Sequence, residues 1–146
     1  MASAATVRLD FRSSFDMLDF VQVVSDHIGR RVGLDDEACH WVGVALRESV
    51  VNAIKHGNAS DEGKRVHVEF TPLDGERPGL AIRVRDEGPG FDPAVLPDCC
   101  AEENLLKSSG RGIFLIRSFM DELVLRRAPE GGMEVHMVKH LQPQQA

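Results

Sequence analysis

Glu48 and Asn52 stand four residues apart, and Lys55 and His56 follow at three and four more. On a helix, residues at those spacings lie one above another, with Cβ atoms ~5–6 Å apart. A carboxylate, an amide and a cation would then share one line, a set able to accept protons, pair through either end of an amide and offer positive charge. Trp41 and Ala45 extend that line towards the N-terminus, and neither is a solvent residue. The stripe therefore points to a pocket rather than to a solvated face.

Two further stretches carry chemistry. Leu80, Ile82 and Val84 alternate as one face of a strand, and by the same period of two Asp86 falls on their side. An inward carboxylate must be paired, because burying it alone is costly. Glu87-Gly88-Pro89-Gly90-Phe91 follows, with glycines where backbone must approach something closely. Farther on, Lys107-Ser108-Ser109-Gly110-Arg111-Gly112 opens a helix at Ile113–Met120, and bare amides at such a terminus suit an anion. The spacing is not a Walker pattern, and no strand leads into it as a dinucleotide fingerprint requires.

These residues need elements to hold them. Ala38 to Asn58 reads as one helix, with Cys39, Val42, Leu46, Val50 and Ala53 as its core line and Asp35 or Asp36 as its cap. Thr6–Arg12 alternates as a strand. Ser13 or Ser14 caps a helix to about Gly29, burying Leu18, Val21, Val24 or Ser25, and Ile28. Arg65–Phe70 and Leu80–Asp86 are strands around a turn at Thr71–Gly79. Leu123–Arg127 and Met133–Leu141 form a hairpin over Ala128-Pro129-Glu130-Gly131-Gly132. Asp92 to Ser109 is aperiodic and acidic at its centre, and a loop of that length inside a compact domain reads as a lid. The tail from Gln142 is polar. The order is not a regular alternation of strand and helix. We therefore expect an α/β two-layer sandwich: a mixed, mainly antiparallel sheet of about five strands with three helices on one face, in a single domain over residues 1–146.

Composition narrows the partners. A chain of 146 residues with 42% hydrophobic content can build one core. A net charge of -6 argues against nucleic acid as a direct partner. No apolar run approaches a membrane span and no signal peptide is visible, so no membrane association is expected. Three cysteines, Cys39 and the pair Cys99-Cys100, match neither a zinc site nor a disulfide framework. A reduced, cytoplasmic protein is the expectation.

Taken together, ALRESVVNAIKHGN, VRDEGPGF and SSGRGIFLI resemble the N-box and the two glycine boxes of the GHKL ATPases, which share the Bergerat ATP-binding fold. The segment RSFMDELVLRR is similar to the anti-sigma factor serine kinases of that group. The resemblance implies ATP and ADP binding with Mg²⁺ carried by Asn52, and Glu48 as the base that takes a proton from an attacking hydroxyl. It implies that Asp86 accepts the adenine amino group, with Gly88 and Gly90 letting backbone reach the base. Ser109, Gly110, Arg111 and Gly112 would wrap the phosphates, with Lys55 and His56 as phosphate neighbours, while Asn58 is read as a helix stop.

The implied activity is an ATP-dependent serine kinase in a partner switch. It would bind a sigma factor and phosphorylate a STAS-type anti-sigma factor antagonist, and act as a homodimer. The alternative is an ATP-binding switch module without transfer; retention of both Glu48 and Asn52 favours the enzyme. The few residues before the first strand leave no room for the dimerisation helices of a histidine kinase. One departure stands out: family members often carry a threonine after the glycines of the last hairpin, and here Met133 and then Glu134 occupy that place.

Overall fold

The computed structural model describes residues 5–89 and 117–142. Strand β1 is Val7–Arg12, and a 3₁₀ turn, Phe15–Met17, leads into α1, Leu18–Val32. Helix α2 is Asp36–Asn52 and passes directly into a π-helical turn, Ala53–Gly57. Strands β2 (Arg65–Leu73), β3 (Gly79–Arg85), β4 (Glu122–Arg127) and β5 (Met133–His140) follow. The sheet order is β1-β2-β3-β5-β4, and each of its pairings is antiparallel. The expected five-stranded sheet is present, with antiparallel pairing throughout rather than mixed. Residues 117–119 are helical and belong to the expected third helix, whose earlier part lies outside the described residues. The lid at 92–109, Cys99-Cys100 and the tail beyond Gln142 also lie outside them.

The sheet's two faces differ in chemistry. Val66, Val68 and Phe70 of β2, Leu80, Ile82 and Val84 of β3 and Met137 of β5 are buried against Leu18, Val21 and Ile28 of α1 and Cys39, Val42, Leu46 and Val50 of α2. These are the core lines expected of both helices and both strands. The opposite face carries ion pairs: Arg83 meets Glu69, Glu130 and the fully buried Glu134, which also pairs with Arg126. Among the described residues, no helix is long and apolar enough to cross a membrane.

Asp35 caps α2 as the sequence indicates, whereas Ser14 caps the 3₁₀ turn and α1 starts after Met17 without a side-chain cap. Asp35 Oδ1 accepts from Ala38 N at 2.8 Å, and Ser14 Oγ accepts from Asp16 N at 3.2 Å. The end of α1 differs from expectation. Gly29 is buried inside it, close enough to Cys39 that an added Cβ would sit 3.1 Å from the sulfur. It serves the helix crossing, and the stop comes at Gly33, left-handed at φ 106°. Strand β2 also runs past Phe70 through Pro72, within the expected turn. Pro72 is tolerated because β1 has already ended, with Val7 opposite Phe70, so β2 has one neighbour there.

Candidate functional site

Asp86 is the best-defined group of the site. It follows β3, keeps the inward parity read from the sequence, and is 5% exposed. Its main chain stays in the ladder, with Asp86 N donating to Met133 O at 3.0 Å. Its Oδ1 accepts from Gly88 N at 3.0 Å and from Met133 N at 3.1 Å. Met133 therefore supplies a backbone donor where a threonine hydroxyl was the expected helper. Among the described residues no hydrogen bond to Oδ2 occurs, and the Gly57 backbone lies against that oxygen.

The walls around Asp86 are backbone. A Cβ on Gly57 would overlap the Asp86 carboxylate, and one on Gly88 would overlap the Gly57 carbonyl. The end of the α2 segment and the loop after β3 thus touch through two glycines, which no other residue could replace at that separation.

The π turn explains this approach. Sequence spacing extends an α-helix to Asn58, but the regular helix stops at Asn52, and Asn58 N donates to Ala53 O, five residues back, at 2.8 Å. The wider turn carries Gly57 to Asp86. Such turns recur at functional sites. The extra residue also breaks the three-and-four spacing after Asn52. Lys55 and His56 stand in that turn and are exposed.

Upstream, Glu48 and Asn52 are both half-buried, one helical turn apart. Among the described residues, Asn52 Oδ1 is buried without a hydrogen-bond partner. A lone buried acceptor is costly, and it suits a cation or a cation-bound water. Asn52 thus fits the Mg²⁺ role implied by the resemblance. Glu48 has no ion pair or hydrogen bond among the described residues, so its carboxylate is unspent. The expected continuation of this line is corrected by the fold. Ala45 is in the core, and Trp41 stacks on Phe119 with centroids 3.7 Å apart and planes at 7°. Trp41 packs α2 against the third helix.

Asn58, read from the sequence as a helix stop, does more. It is fully buried; its Nδ2 donates to Ser13 Oγ at 2.8 Å and to Arg65 O at 3.0 Å, and its Oδ1 accepts from Glu87 N at 2.7 Å. Glu87 is tied at its side chain too: Oε1 accepts from Arg65 N at 2.9 Å, and Oε2 lies 2.7 Å from His67 Nε2. The Arg65 amide, and then His67, hold the Glu87 carboxyl below the usual range. No spacing rule marks Asn58, because its partners are 45, 7 and 29 residues away. Gly90, Ser109, Gly110, Arg111 and Gly112 lie outside the described residues.

Comparison with known proteins identifies the family and the fold. The histidine kinase-like ATPase domain family matches residues 16–139. An anti-sigma F factor of Oceanobacillus iheyensis is 34% identical over 103 residues, covering 68% of each chain. A serine-protein kinase RsbW of Listeria monocytogenes is 28% identical over 124 residues, covering 81% of this chain and 76% of its own. The fold matches a structure holding the RsbU and RsbW domains of a Mycobacterium tuberculosis protein, with TM-score 0.67 and 16% identity over 97% of this chain and 34% of that one. It also matches the histidine kinase domain of a blue-light activated kinase from Erythrobacter litoralis, with TM-score 0.54 and 21% identity over 97% of this chain and 66% of that one. The chain belongs to the histidine kinase-like ATPase domain family, where its relatives include anti-sigma F factors and RsbW serine-protein kinases.

Proposed function

We propose that this chain is an ATP-dependent protein serine kinase that acts as an anti-sigma factor, binding a sigma factor and phosphorylating its antagonist. The observation that carries the reading is the pairing of two incomplete groups. Among the described residues, Asp86 keeps Oδ2 without a hydrogen bond between glycine walls, and Asn52 keeps a buried Oδ1 without a partner. The first suits the exocyclic amino group of adenine and rejects the carbonyl that guanine presents there. The second suits Mg²⁺, which when bound would neutralise the phosphate oxygens and hold them in place.

Glu48, one turn before Asn52, is the base in this reading. The antagonist's serine oxygen bonds to the γ-phosphorus, the bond from that phosphorus to the ADP oxygen breaks, and the serine proton passes to Glu48. Phosphoryl transfer asks a protein mainly for positioning and charge compensation. The anionic nucleotide must find local positive charge on an acidic chain, and Lys55, His56, Ser109, Gly110, Arg111 and Gly112 are our candidates for that contact. We place the protein in the cytoplasm, as a homodimer.

Glu48→Gln tests the reading. It keeps size and hydrogen bonding but removes basicity, and general base catalysis contributes about 10²–10⁴-fold. Single-turnover transfer from labelled ATP to a candidate antagonist should slow by that order, while ATP affinity measured by calorimetry stays at or above the parental value. Parental transfer by Glu48→Gln removes Glu48 from the role of base. A parent that binds ATP and sigma factor but transfers nothing to any antagonist would be a switch module without kinase activity.

A further inference from the structure

We propose that Asn58 is a positioning residue for the nucleotide base, presetting the pocket around Asp86; this rests on the adenine reading above. The base pocket has two walls from distant parts of the chain, the π turn ending at Gly57 and the loop Glu87–Gly88 after β3. Those walls meet where the Gly57 carbonyl abuts Gly88. Asn58 directly follows the first wall, and its Oδ1 holds Glu87 N, in the second, at 2.7 Å. One fully buried amide therefore fixes the separation of both glycines from the Asp86 carboxylate.

The other end of the amide anchors this gauge to the sheet. Nδ2 is shared between Ser13 Oγ, which in turn donates to Lys64 O at 2.8 Å, and Arg65 O. Both anchors sit beside paired strand ends, where Arg12 faces Arg65 across β1 and β2. The next two residues, Ala59 and Ser60, take positive φ of 51° and 59°, which non-glycine residues rarely adopt. Such backbone persists only where its surroundings over-determine it; here the Asn58 side-chain bonds act together with Ser60 N, which donates to Ile54 O at 2.7 Å.

The test measures ADP and GDP affinity by calorimetry for the parent, Asn58→Ala and Val21→Ala. Val21→Ala opens a cavity in α1 and serves as a control for general destabilisation. Asn58→Ala is expected to lose tenfold or more in ADP affinity and to narrow the preference for ADP over GDP. Val21→Ala should melt at lower temperature yet keep both values. Parental affinity and preference in folded Asn58→Ala overturn the proposal, as does an equal loss in Val21→Ala. Should Asn58→Ala fail to fold, amide exchange in the nucleotide-free parent decides: slow exchange at Glu87 N–H supports the clamp, and fast exchange overturns it. A parent that binds no ADP sinks the adenine reading itself, whereas a binding parent with an indifferent Asn58→Ala sinks this inference alone.

Discussion

At the scale of single residues, the site is defined by what each polar atom has left over. Asp86 spends Oδ1 on two backbone donors and keeps Oδ2. Removing the carboxylate in Asp86→Ala takes away the proposed base contact and the acceptor that Gly88 N uses. The expected loss of ADP affinity is about 1–3 kcal/mol, the cost of unpaired buried groups. Calorimetry on the variant checks it, and an unchanged dissociation constant would remove Asp86 from the base site. The same accounting separates Asn52 from Asn58. Asn58 satisfies both ends of its amide within the fold and so positions; Asn52 leaves its oxygen bare and so is free to bind.

At the scale of elements, α2 does three jobs along its length. Its first turns are capped by Asp35, its middle buries Val42, Leu46 and Val50, and its end widens into the π turn that meets Asp86. Trp41 joins it to the helical segment at 117–119, where Lys139 Nζ donates to Phe119 O at 3.1 Å. Phe119→Leu should cost about 0.5–1.5 kcal/mol beyond lost area, since the stacked pair disappears. Because the chain has one tryptophan, its emission spectrum reports the same event. A melting temperature and spectrum identical to the parent's would mean the stack contributes nothing in solution.

At the scale of the whole molecule, the sheet separates an apolar face under the helices from a charged one. Burial raises the Glu134 carboxyl, but Arg83 and Arg126 outweigh it and hold the group below the usual range. Glu87 is lowered as well, by the Arg65 amide and then His67. A carboxylate with a lowered folded pKa stabilises fully above its unfolded value, about 4.3 for Glu, and the contribution is lost as pH falls through the folded value. Stability should therefore fall with acid below pH ~4.5. Glu134→Gln should flatten that dependence and destabilise the protein by about 3 kcal/mol at neutral pH, the lower end for breaking a buried ion pair, since Arg126 is partly solvated. Denaturant titrations between neutral and acid pH test both claims, and an unaltered acid slope in Glu134→Gln would refute the assignment.

Local periodicity was enough to read most of the scaffold from the chain. The strand alternation, the helix core lines, the Asp35 cap and the inward Asp86 all rest on neighbours within four residues, which is the range over which helix and strand geometry act. Two of the three motifs contain the described candidates Glu48, Asn52 and Asp86; the third lies outside the described residues. The failures have a common physical form. Gly29 looked like a helix stop and is a close crossing with Cys39; Trp41 looked like pocket lining and is a stack on Phe119; the α-helix read through to Asn58 turns π-helical after Asn52. Asn58 does end the helix, as read, but it is also the hub of bonds to Ser13, Arg65 and Glu87. Each depends on which distant part of the chain arrives at that point, and only the tertiary fold decides it.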